Sequence, residues 1–110
     1  MVTAETAVVL PVLLLVLVCA VAAVTVVGAQ LRCVDAAREG ARAAARGETA
    51  VVVIELVGRV APDGAVTDVQ PAGERVRVTV SVEVSPLGPV PLHTRVSAEA
   101  VAQREPGGTP

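Results

Sequence analysis

The constraint that dominates this chain is a run of 23 residues, Ala7 to Ala29, that contains no charged side chain and only one clearly polar one, Thr25. As a helix rising about 1.5 Å per residue it is roughly 35 Å long, enough to cross a hydrocarbon core of about 30 Å with some tilt. A transmembrane helix is therefore the first reading. A cleaved secretory signal is the competitor, because Ala20-Val21-Ala22 has the small-x-small form of a cleavage site. Against it, residues 1–6 hold no Arg or Lys, and the run exceeds the usual h-region of about 7–15 residues. A lipoprotein signal is disfavoured because Val18, not a small residue, precedes Cys19. Pro11 removes a backbone donor and crowds the carbonyl of Ala7, which predicts a bend near the start of the helix.

Taking that many residues for one span leaves little of a 110-residue chain for anything else. One small appendage is the limit, without room for a second domain of usual size or a deep catalytic pocket. All nine basic residues are Arg, and with 11 acids the net charge is −2, so no basic excess is present to hold nucleic acid. The chain has 26 Val and 19 Ala but no Phe, Trp or Tyr. It thus lacks the interfacial aromatic belt that fixes many membrane helices.

Beyond the run, QLRCVDAAREGARAAARGE has no breaker before Gly47 except Gly40, so one helix of about 40 residues is expected within residues 1–47, its transmembrane part at 7–29. Val34, Ala37, Ala41 and Ala44 share one side and form a candidate helix-packing face for a partner. Arg38, Arg42 and Arg46 share another, and Glu39–Arg42 or Asp35 with Arg32 or Arg38 can pair at i, i+3 for a few tenths of a kcal/mol. These arginines lie C-terminal to the run, so the positive-inside rule taken alone places that side in the cytoplasm. Glu5 stands in the first turn, with Thr3 as a candidate N-cap. It either complements the helix dipole beside headgroups or seeks a positive partner such as a neighbouring chain's α-amino group.

Cys19 and Cys33 are 14 residues apart, about 21 Å along one helix, which excludes an intrachain disulfide while the helix is continuous. Cys19 reads as a small apolar residue. Cys33 is a candidate for an intermolecular disulfide, or else an unpaired buried thiol.

After Gly47, Val52, Val53, Leu56, Val57 and Val60 fit one face of a short helix ended near Ala61 by Pro62-Asp63-Gly64. A weak strand at 65–70 and a turn at 71–74 follow. From 75 to 84 Val76, Val78, Val80, Val82 and Val84 alternate with polar residues, the clearest strand signal in the chain. Pro86, Pro89 and Pro91 stiffen a loop, and Thr94–Ala102 alternates with Val96, Ala98 and Ala100 inward. The expected fold is α+β: a long N-terminal transmembrane helix, then at 48–104 a small extracytoplasmic domain with a short helix and an antiparallel sheet of about three strands, and a flexible tail at 105–110.

No catalytic motif stands out. Ser81, Ser85 or Ser97 with His93 and Asp68 would make a serine triad only if the fold gathered them, and an exposed loop histidine is the favoured reading. Two distant Cys and one His make no metal-ligand cluster, and no phosphate or dinucleotide loop is present. No cofactor and no small-molecule substrate are expected.

The segments VTAETAVVLPVLLLVLV and AQLRCVDAAREGARAAARGE resemble the TadE-like pilus-assembly proteins, minor pilins or pseudopilins of the tight-adherence (Flp-type) apparatus. The resemblance covers residues 2–47 well and the later Val-rich strands and Pro-Leu-Gly-Pro at 86–89 more loosely. Its most specific features are Ala4-Glu5 and Leu10-Pro11 together with Cys33-Val34-Asp35-Ala36-Ala37-Arg38. It implies a non-enzymatic role in pilus assembly, with the membrane, pilin or pseudopilin subunits, the assembly platform and a prepilin peptidase as partners. It implies that Glu5 aligns the subunit and that the chain is processed near Met1. Prepilins carry a short basic leader ending in a small residue; a reading frame extending upstream with Arg or Lys and Gly is the expectation here. Such a leader would reverse the charge count and put the N-terminus in the cytoplasm. A secreted binding domain released by signal cleavage, or a single-pass regulatory subunit of a membrane complex, are the alternatives.

Overall fold

A computed structural model of the chain describes residues 2–88 and 90–103; Met1, Pro89 and the tail expected at 105–110 lie outside the described residues. Five elements follow in order: α1 (Val2–Ala45), α2 (Ala50–Val60), β1 (Val66–Ala72), β2 (Arg75–Val84) and β3 (Thr94–Gln103). This is the expected α+β arrangement, and its long axis of 77 Å is set by α1.

The helix α1 runs unbroken through Pro11 and already includes Thr3, which therefore lies inside the first turn and not at the N-cap position expected for it. Its end is built by the backbone. Gly47 has φ of +88°, its N–H donates to Ala44 O at 3.1 Å, and Glu48 N–H donates to Ala43 O at 3.2 Å. Those two bonds satisfy carbonyls the last turn would leave free, and a left-handed residue there is far cheaper as glycine. Thr49 then caps α2, its Oγ1 accepting from Val52 N–H at 3.4 Å. Ala61 N–H closes the other end on Val57 O at 2.8 Å, and Pro62 stops the helix.

The sheet has the order β1-β2-β3, antiparallel throughout, with Val69 opposite Val78, Val80 opposite Ala98 and Val82 opposite Val96. Strand β1 continues to Ala72, two residues further than the sequence suggested, and the turn narrows to Gly73-Glu74. Pro71 opposite Val76 is tolerated because β1 is an edge strand, where a missing N–H breaks no central ladder. On β2 the alternation holds from Arg75 to Glu83: Val76, Val78, Val80 and Val82 are buried, Thr79 and Ser81 are half-buried and Arg75, Arg77 and Glu83 are exposed, while Val84 at the end is half-buried.

One face of the sheet is covered by α1, which lies over β2 and β3, and by α2, which lies against α1 and β1. The core holds only Val, Ala and Cys33 as buried hydrophobic side chains, with no buried polar or charged residue among those described. Such small side chains fill the space only if the backbones come close. Gly40 permits this, because a Cβ there would sit 2.6 Å from a Val57 methyl and 2.9 Å from a Val78 methyl.

Candidate assembly helix

Two halves of α1 live in different surroundings. From Thr3 to Val21 every residue is exposed, Leu10, Leu13, Leu14 and Leu17 included. Among the described residues this is one helix, Thr3–Ala45, long and apolar enough to cross a membrane. Glu5 is exposed in its first turn, and further along Thr25 Oγ1 donates to Val21 O at 2.9 Å, so the lone polar side chain of the run is satisfied by its own helix. Met1, assigned with Glu5 to processing and assembly, lies outside the described residues.

The second half is the spine of the domain. Val26 packs against the core, and Gly28, Ala29 and Gln30 are half-buried, so one side of the last turn of the apolar run is covered by protein while Val27 stays exposed on the other. Gln30 Nε2 donates to Ser97 O on β3 at 3.0 Å. Arg32 turns away from Asp35, its expected partner, and its Nη2 donates to Ala61 O at the end of α2 at 3.3 Å. A cation there also complements the negative end of the α2 dipole. Arg42 Nη1 and Glu39 Oε2 lie 3.8 Å apart on the solvated side, an exposed contact of little energetic weight.

Of the face assigned to helix packing, Ala37, Ala41 and Ala44 are buried and Val34 is half-buried, but what covers this half of α1 is the chain's own α2 and sheet. That replaces a partner in another subunit with one in cis. The buried side is also broader than expected, taking in Cys33, Ala36, Gly40 and Ala43. Ala36 and Gly40, which the expected face did not include, precede Ala44 at i and i+4 of a small-residue spacing that marks close helix contact.

Cys33 is fully buried and unpaired, in contact with neither solvent nor a second thiol, which removes the route to an intermolecular disulfide in the folded domain. Burial pushes its thiol above the ordinary value, a shift partly opposed by the Arg32 guanidinium. Cys19 is exposed on the apolar half of α1, and the unbroken helix keeps the two sulfurs apart.

The fold does bring Ser85 and His93 together: Ser85 Oγ and His93 Nδ1 are hydrogen-bonded at 2.9 Å. Both are exposed, one residue outside β2 and one outside β3, so the bond closes the neck of the 85–93 loop. Asp68 is not part of it. It pairs in register with Thr79, six positions short of Ser85 and thus about 20 Å along the strand, and accepts from Gln70 Nε2 at 2.9 Å. Ser81 and Ser97 face each other across β2 and β3, also remote from a triad. Outside this neck, Arg77 Nε and Glu99 Oε1 form a diagonal cross-strand pair at 2.9 Å on the wet face of the sheet.

Comparison with known proteins centres on the same helix. The family model for TadE-like proteins matches residues 1–42. The apoptosis inhibitor Rv3655c of Mycobacterium tuberculosis is 39% identical to the chain over 105 residues, which span 96% of this chain and 80% of that protein. No solved structure gives a significant match. The N-terminal apolar helix fits a single-pass membrane protein, and a TadE-like domain fits a pilus-associated one. With the long helix matched over residues 1–42 and a relative aligned over nearly all of this chain, the chain belongs to the TadE-like family.

Proposed function

We propose that this protein is a non-enzymatic minor pilin or pseudopilin that takes part in assembling a Flp-type, tight-adherence pilus or a related secretion apparatus. The observation that carries this reading is the division of α1: an exposed apolar half with Glu5 in its first turn, joined without a break to a half that is buried in the domain. A soluble domain has no use for so much uncovered Leu and Val, whereas a subunit that resides in a bilayer and then packs by helix in an assembly uses the same surface twice. Of the two readings of Glu5, the second is adopted: its carboxylate receives the α-amino group of a neighbouring subunit, an ion pair that gains strength as lipid or protein excludes water around it. The N-terminus lies on the cytoplasmic side and the domain outside, with prepilin peptidase, pilin subunits and the inner-membrane platform as partners.

Glu5→Ala tests the assignment. The variant should insert in the membrane at normal levels yet fail to enter or support filaments; normal filaments from Glu5→Ala would remove the glutamate from the mechanism. A helix that leaves the membrane fraction on carbonate extraction would remove the membrane half of the reading.

A further inference from the structure

The loop between β2 and β3 folds back along α1 toward the N-terminal half, and its height on the helix is incompatible with a wholly solvated domain. Pro86, Leu87 and Val90 face Leu17, Val18 and Val21 across an open crevice of about 530 Å³. Leu17–Val21 is the middle of the apolar run, not its end. If the loop stood in water, the charge-free helix clear of it would be Ala7–Val16, ten residues or about 15 Å, half of what a hydrocarbon core of about 30 Å requires. The charged side chains that approach α1 lie higher: Asp63 and Glu83 stand beside Val24, Gly28 and Arg32. The boundary between lipid and water therefore falls between these two levels, with the loop on the lipid side.

The composition of the loop fits that depth. Residues 86–92 carry no charge and no polar side chain, and Val90 and Leu92 remain 46% and 53% exposed. Proline suits an apolar medium because it has no N–H to leave unsatisfied. The remaining carbonyls are partly answered locally, since Gly88 N–H donates to Ser85 O and Leu92 N–H to Val90 O. The Ser85–His93 hydrogen bond pins the two polar ends at the neck, where the chain returns to water.

We propose that the β2–β3 loop, through its described residues 86–88 and 90–92, is a second membrane anchor, a wedge inserted into the outer leaflet beside α1 and continuous with the helix's lipid-facing surface. Its occupant is lipid acyl chain. The proposal rests on the single-pass reading of α1, and together the two contacts fix the domain's height and tilt, a task left open by a chain with no interfacial aromatic residue.

The absence of Trp gives the test a dark background. Full-length single-Trp variants would be reconstituted in phosphatidylcholine/phosphatidylglycerol vesicles with and without brominated acyl chains. Leu14→Trp reports on the helix, Leu87→Trp and the exposed Leu92→Trp on the loop, and Val101→Trp on the far end of β3. The expectation is at least a twofold loss of emission on bromination for Leu14→Trp and both loop variants, and no change for Val101→Trp. Quenching of Leu14→Trp with loop variants that behave like Val101→Trp overturns the wedge and leaves the helix reading standing. Loop variants shielded from aqueous acrylamide but untouched by bromine overturn it in favour of a protein cover, and an unquenched Leu14→Trp overturns both readings. Should Leu87→Trp not reconstitute, Leu92→Trp decides alone.

Discussion

Replacing Gly40 with Ala and comparing it with Gly58→Ala isolates the closest approach in the domain. Both glycines are interior to helices, so each substitution gains the same helix propensity, about 1 kcal/mol. Their surroundings differ. A Cβ at Gly58 meets nothing within 4 Å, whereas at Gly40 it falls 2.6 Å from Val57 and 2.9 Å from Val78, against the 3.4 Å at which ordinary contact begins. The two valines must therefore retreat by about 0.8 and 0.5 Å. Valine has one free torsion and both are fully buried, so retreat means moving α2 and β2 away from α1. Overpacking of this kind costs about 1–3 kcal/mol, which outweighs the propensity gain and leaves a net loss of about 1 kcal/mol. For a domain of this size that corresponds to a fall of roughly 4–8 °C in Tm, while Gly58→Ala should rise by a similar amount. Circular dichroism melts in detergent micelles read both. Val57→Ala introduced into the Gly40→Ala background should cost less than Val57→Ala alone, because it vacates the space the new methyl needs. If Gly40→Ala stabilises as much as Gly58→Ala, the close packing of α1 on α2 and β2 is wrong.

Other consequences can be checked with the same material. In a Cys19→Ala background, Cys33 should resist maleimide in the folded protein and react on unfolding, with only monomer on non-reducing gels. Because burial raises the folded thiol's pKa above its ordinary value of 9.0, the protonated form favours folding; stability is full below pH 9 and declines as pH rises through the raised value. Cys33→Ala should lose that alkaline decline in urea titrations; the chain has neither Lys nor Tyr to titrate there, and carrying Cys19→Ala in both proteins removes the other thiol. Arg32→Met removes the donor to Ala61 O and should lower stability by about 0.5–1.5 kcal/mol, and an unchanged melt would mean the bond contributes nothing. Thr49→Ala removes the cap of α2; at 3.4 Å the loss belongs at the lower end of the usual range, about 0.5–1 kcal/mol in the same melts.

The elements of this fold that could be read from the sequence are those whose signal is periodic. The valine alternation of β2 and the helical spacing of Val53 and Val57 in α2 each reflect one wet side and one dry side, and the side chains record it directly. The uncharged run of α1 declared itself for a similar reason. What escaped was pairwise and depended on distance. Gly40 reads as a weakness in a helix until Val57 and Val78 are seen beside it. Arg32 looks like a partner for Asp35 until the end of α2 offers a carbonyl, and no local spacing announces a bond across 29 positions. The assignment of Ala37, Ala41 and Ala44 to close packing located the right stripe, but a stripe of small residues carries no label for cis or trans. The height of the 85–93 loop on α1 belongs to the same class, because it follows from the register of β2 on β3 and from how α1 crosses them.

The unbroken course of α1 from Val2 to Ala45 also makes the molecule a torque shaft. Each residue of a helix advances about 1.5 Å and turns about 100°, so the azimuth at which the domain leaves its bundle is set by the number of residues between the two halves. One residue inserted near Thr25 would swing the domain through about 100° while barely changing its height, and an insertion of seven would restore its heading to within about 20° at the expense of about 10 Å of length. Because Gly40 and the core hold the shaft on the domain side, no joint is available to absorb the error. The length of this helix is thus a clocking dimension: it determines which neighbour the wet face of the sheet, with Arg77 and Glu99, is turned toward in an assembly.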